Sequence, residues 1–326
     1  MRSHPLHQTL FLVVALLFGG LGRLLCGGEL RVAKYVPSGG GTLHAGYPEA
    51  LSGLLATARN VTGLPLAEEP LQVESFGDPR LAGCPVLYLN WMDREDWSGL
   101  PESEILSLRS FLESGGFLHI DSGIVAEFLR REGVQNHSYG EWEASPECRA
   151  FLERVLPGHP FQVLGRDDPV FRVFYQGLPG TELLPDSVRQ YTVEEKWPSG
   201  TYSAVGIRLD GRLAVLATPV LAMGWGRDAF GGWTTEIRMR VLEGGTGLDT
   251  LLPDAAVLGP QYSVRREDGG TDQVFCQDRE LPAWLREPSG RWRVFRYYDS
   301  NQISDFTHLF YSRLGVNFLL CALLGE

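Results

Sequence analysis

The chain has 326 residues and a formal net charge of −11, with 44% hydrophobic and 21% charged residues. Such a length and composition suit one large folded domain and exclude global disorder. The acidic balance, with no cluster of lysine or arginine to offset it, excludes nucleic-acid partners and acidic lipid surfaces.

Thr9 to Gly22 is an uncharged apolar run of 14 residues, preceded by Arg2 and two histidines. That length suits the core of a secretory leader and is short for a membrane span. Cys26 and Gly28 are small residues two apart, so residues 1–28 are read as a signal peptide cleaved after Gly28, or as an uncleaved anchor. The expectation is an exported protein that meets a membrane only through this segment. The folded part is expected over residues 29–326.

Leu30 to Val36 alternates and is β-branched, which predicts a strand. Ser38 to Gly41 is a glycine-rich loop, and Leu51, Leu54, Leu55 and Ala58 follow helical spacing. Val86 to Asn90 predicts a second strand. An acidic, tryptophan-containing loop leads to a helix with Ile105, Leu108, Phe111 and Leu112 on one face. Gly115 and Gly116 end that helix, because glycine accepts the left-handed conformation of a C-cap. Phe117 to Ile120 is apolar on both faces, as a buried parallel strand must be. Asp121 and Ser122 stand at its carboxyl end. A helix is predicted over Ile124 to Arg131, and another opens at Ser145-Pro146 with Cys148, Phe151, Leu152 and Val155 as its apolar set. Ala204 to Leu209 and Arg212 to Thr218 flank Asp210-Gly211, a hairpin signal. The segment from about 228 to 305 reads as a mixed insertion, and Asp305 to Leu324 as an apolar helix packed on the sheet.

Strand and helix alternate through the first part. The fold class is therefore α/β, a mostly parallel sheet with helices on both faces plus the inserted segment.

GGFLHIDS, ECRAFLERVLPGHPFQVL, DDPVF, GLPG, AVGIRLDGRLAVLATPVLAMGWG and LGVNFLLCAL occur in the order seen in the DUF4159 family, and RVAKY with Gly39 to Gly41 resembles its opening. The resemblance spans roughly Leu30 to Gly226 and Leu309 to Leu324. It implies a flavodoxin-like sheet similar to class I glutamine amidotransferases and ThuA-like proteins. It also implies an exported bacterial protein of undefined activity, periplasmic or envelope-associated, beside MoxR-type ATPases and von Willebrand A-type proteins; an envelope protein partner follows. The chain departs from the family pattern at three places. Asn90-Trp91-Met92 replaces a common Gly-His-Gly, Asp121-Ser122 replaces two aspartates, and Asp168-Pro169 replaces His-Pro. Each change removes a potential ligand or acid/base group.

Asp121 is placed where open α/β sheets bind ligands. It is read as a cap for the following helix, as a ligand or acid/base group, or as both. Covalent catalysis lacks support: no cysteine sits in a strand-to-helix elbow, and Ser122 in Asp121-Ser122-Gly123 is the nearest approach to a serine nucleophile. His119, Asp121, His137 and His159 carry metal-ligand atoms, but their spacing does not bring them together. No cofactor is expected. Trp91, Trp97, Trp142, Trp225 and Trp233, beside Asp93, Glu95 and Asp96, are read as exposed aromatics suited to stacking a sugar or peptide. The candidate ligand-binding set is thus Asn90, Trp91, Asp121, Ser122 and Trp225. Cys84 and Cys276 are left open as a disulfide pair. The functional expectation is a non-catalytic binding or assembly module of the cell envelope. The alternative is a hydrolase using Asp121 as acid/base, with or without a metal.

Overall fold

The computed structural model describes residues 29–38, 49–94, 96–121, 146–176, 201–218, 221–225, 239–243, 261–265, 271–276, 283–286, 292–298 and 301–325, the strands between 239 and 298 by their backbone. In chain order the first sheet's elements are β1 (Val32–Tyr35), α1 (Ala50–Thr62), β2 (Leu71–Val73), β3 (Val86–Asn90), α2 (Glu102–Glu113), β4 (Phe117–Asp121), α3 (Pro146–Val155), β5 (Gln162–Gly165), β6 (Thr201–Leu209) and β7 (Arg212–Thr218). β8 (Met239–Glu243), β9 (Gln261–Arg265), β10 (Thr271–Cys276), β11 (Ala283–Arg286) and β12 (Trp292–Tyr298) follow, and α4 (Asn301–Leu324) is the last helix.

The first sheet has the order β2-β1-β3-β4-β7-β6-β5. Its first five strands run parallel; β6 runs antiparallel to β7, and β5, antiparallel to β6, returns to the direction of the first five. This is the flavodoxin-like α/β architecture that strand-helix alternation predicts. β3 and β4 are buried at every position, which is why they read as nearly unbroken apolar runs. The core divides by strand parity. Val32, Val86, Tyr88 and Phe117 pack under α1 and α4. Ala33, Tyr35, Leu87, Leu89, Leu118 and Ile120 pack under α2 and α3 on the other face.

Leu51, Leu54, Leu55 and Ala58 of α1 are all buried, as are Ile105, Leu108 and Leu112 of α2. The β6–β7 hairpin turns through Asp210 at φ 50 and Gly211 at φ 84, the positive values that Asp-Gly supplies at low cost. α3 opens on Pro146 and buries Cys148, Phe151, Leu152 and Val155. α4 packs on the sheet through Phe310, Leu314, Phe318 and Leu320, and among the described residues no helix is long and apolar enough to cross a membrane. α4 comes so close to α1 that a Cβ on Gly315 would lie 2.6 Å from a Leu54 methyl.

β2 and β5 add two strands to those expected from the sequence. Between 239 and 298 the chain forms a separate five-stranded antiparallel sheet, order β8-β12-β11-β10-β9. The helix expected over Ile124 to Arg131 and the leader lie outside the described residues.

Candidate functional site

Four polar side chains interrupt the buried apolar strands. Tyr88 and Asn90 alternate on β3 and His119 and Asp121 on β4, so all four share one sheet face. Asn90 lies opposite Asp121, and Asp121 opposite Thr218 at the end of β7. A row of three polar residues thus crosses the carboxyl ends of three adjacent strands, with Tyr88 and His119 paired one step below.

Asp121 is 0% exposed. One carboxylate oxygen accepts a hydrogen bond from the Tyr88 hydroxyl at 2.6 Å and the other from the Leu221 amide at 2.6 Å. The first bond crosses between strands. The second ties the sheet to the 3-10 turn Leu221–Trp225 that leaves β7. Burial, then the Asp121 charge and the hydrogen bond to it, hold the Tyr88 phenol well above its usual range. Tyr88 therefore stays protonated and keeps donating.

His119 is equally enclosed. Its Nε2 lies 3.0 Å from Thr218 Oγ1, and its ring meets the edges of Tyr88 and Phe318. Burial pushes the imidazole down to about 3, so it is neutral at physiological pH. A cavity of about 10 Å³ adjoins it, lined by residues including Val32, Leu54, Val86, Tyr88 and Gly315. That is room for about one water molecule. Among the described residues no group of three or more His, Cys, Asp or Glu is placed to hold a metal ion. His159 is exposed in the turn after α3.

The expectation of exposed tryptophans is corrected at three positions. Trp91, Trp97 and Trp225 are 6%, 4% and 7% exposed. Trp91 and Trp97 stack on each other at 4.7 Å, and Trp97 Nε1 donates to the Trp91 carbonyl at 3.0 Å. Phe151 of α3 closes against both. Trp225 lies against Gly53 and the His308 ring. Asp96 faces water, but Asp93 and these three rings are buried, so none of the three offers an open face to a sugar. Among the described cysteines, Cys84, Cys148 and Cys321 are buried and stand outside any disulfide. Cys84 donates to the Arg80 carbonyl, so its thiol is not spent in a disulfide with Cys276. Burial pushes the Cys148 thiol far up, the reverse of what a nucleophile needs.

The structure thus brings Asn90, His119 and Asp121 together on one face at the carboxyl ends of β3 and β4, whereas Trp91 and Trp225 fall into the cores on opposite faces of the sheet; Ser122 and His137 lie outside the described residues. Sequence reasoning missed Tyr88 and Thr218. Tyr88 reads as an ordinary core aromatic, and only the register of β3 against β4 reveals its partner.

Fold and site together define a flavodoxin-like α/β protein whose strand-end carboxylate is held by its own chain. Comparison with protein families matches residues 32–242 to the family described as Domain of unknown function (DUF4159). The chain belongs to that family. No curated protein matched it.

Proposed function

We propose that this protein is a non-catalytic binding or assembly module of a bacterial cell envelope. On this reading it is exported through its N-terminal segment and serves an envelope protein partner of the kind the family resemblance implies, in MoxR and von Willebrand A-type systems. The supporting observation is the state of Asp121: buried, with an internal donor on each oxygen. A general acid or base must reach the proton it moves. Here the carboxylate instead locks β3 and β4 to the turn after β7. The buried thiols of Cys84, Cys148 and Cys321 add the same support, since burial shields them and raises the pKa of the first two.

The test pairs affinity capture from the native envelope with an activity screen, using wild type and Asp121→Asn. The amide keeps the shape but turns one acceptor into a donor, facing the Tyr88 hydroxyl or the Leu221 amide. The expected result is a less stable protein that, below its melting transition, captures the same partner. Hydrolysis of ester, amide or glycoside probes by the wild type, abolished in Asp121→Asn with an unmoved melting curve, supports the hydrolase instead.

A further inference from the structure

The sequence contains 27 arginines and 2 lysines, Lys34 and Lys196. Fixed guanidinium charge is used almost everywhere, and an ammonium stands at one described position only. An ammonium is a compact point charge, suited to carboxylate and phosphate, and its protonation responds to surroundings. The position is in β1, opposite Tyr88 and on the face that carries Val32.

Topology gives this place its meaning. β1 has β2 on one side and β3 on the other. From β1 the chain passes to α1, over one face of the sheet; from β3 it passes to α2, over the other. The carboxyl ends of β1 and β3 therefore flank the switch point, the crevice where open α/β sheets take ligands. Lys34 is half-buried. No ion pair within 4 Å joins it to any described residue, while Asp93 and Glu69 act on it from farther away. Desolvation, the larger effect, lowers its pKa despite those two carboxylates. A partly desolvated ammonium with no close counter-ion is relieved by an anion arriving from solution.

We propose that Lys34 is the counter-charge of a small-anion site at the carboxyl ends of β1 and β3, which takes the carboxylate or phosphate group of a small ligand. Asp93 and Glu69 on the flanks favour ligands whose remaining groups donate hydrogen bonds: amino acids, hydroxy acids or sugar phosphates. This site is separate from the protein-partner reading and stands or falls without it.

The scarcity of lysine makes the test clean. Reductive ¹³C-methylation of the full chain keeps the charge and labels only Lys34, Lys196 and the terminal amine. Lys196→Arg assigns the signals without touching the site. The labelled protein is titrated with inorganic phosphate, with acetate and, at matched ionic strength, with sodium chloride. The expected result is a saturable shift of the Lys34 signal with phosphate or acetate but not chloride. The amine should titrate at higher pH when the anion is bound, since an opposite charge favours the charged form. The anion that saturates at lower concentration identifies the group. Lys34→Met should weaken that anion's thermal stabilisation of the protein at least tenfold in concentration. A Lys34 signal that moves only as it does in chloride overturns the site, as does stabilisation that survives Lys34→Met.

Discussion

Tyr88 and Asp121 are the pair on which the strand ends depend. The phenol donates to a carboxylate that is fully buried, and hydrogen bonds to charged groups are the stronger kind. Tyr88→Phe keeps the ring packing and removes the donor, leaving one carboxylate oxygen short of a partner. The expected loss is about 1–3 kcal/mol, read as a lower urea midpoint with an unchanged denaturant slope. An unchanged midpoint shows that the bond adds no net stability. His119 couples stability to pH instead. Its folded-state pKa lies near 3, below the roughly 6.5 of an unfolded histidine. The unfolded chain therefore binds the proton first as pH falls. Stability should drop from about pH 6.5 towards pH 3, with a slope approaching about 1.4 kcal/mol per pH unit from this residue. Carboxylates add their own acid dependence, so the measurement is a difference. Unfolding free energies of wild type and His119→Gln, taken across that range, should converge as pH falls. Parallel curves show that His119 is not buried as a neutral ring.

At the scale of elements, α4 acts as a clamp as well as a cover. Asn317 is 0% exposed in an otherwise apolar stretch. Its Oδ1 accepts from the Phe174 and Tyr175 amides at 3.1 and 2.9 Å, and its Nδ2 donates to the Phe171 carbonyl at 2.8 Å. One side chain so satisfies the backbone of the stretch that follows the 3-10 turn Pro169–Phe171. Asn317→Leu keeps the volume and strands those groups, each at a cost of about 1–3 kcal/mol if it stays buried. The expected outcome is a lower melting point together with faster proteolysis near residues 172–176. Unfolding without local cleavage shows that the clamp is not local. In the sequence Asn317 shows only as a break in an apolar helix, because its partners lie far away along the chain. The same limit separates what was legible from what was not. β3 and β4 could be read because burial on both faces leaves a continuous apolar signature, and Asp121 because it ends such a run. β2 has three residues and no period to detect, and β5 is an edge strand that exposes Val163. Trp91 and Trp97 read as surface groups because acids flank them, yet their exposure is decided by Phe151, some sixty residues away in the sequence and brought close only by the fold.

For the whole molecule, the inserted sheet is the largest feature that the first sheet does not use. The order of the seven strands closes without β8 to β12, and α4 returns directly to the first core through Phe306, Phe310 and Leu314. The two flanks of the insertion also meet. His308 Nδ1 lies 2.8 Å from the Gly224 carbonyl, and the His308 ring stands against Trp225. The chain therefore leaves and re-enters the first core at nearly one place. A short flexible linker can span such a gap. Replacing residues 228–300 by about seven Gly/Ser residues shortens the connection roughly tenfold, worth on the order of 2 kcal/mol in closure entropy. Any packing that the insertion supplies to the first core disappears with it and acts in the opposite direction. The expected product is a folded first sheet with cooperative unfolding, and with Cys84, Cys148 and Cys321 still shielded from thiol reagents in native buffer. Rapid labelling of these thiols, or loss of the cooperative transition, shows that the inserted sheet is part of the first core's stability. Retention of both shows that the α/β unit carries its own fold without the insertion.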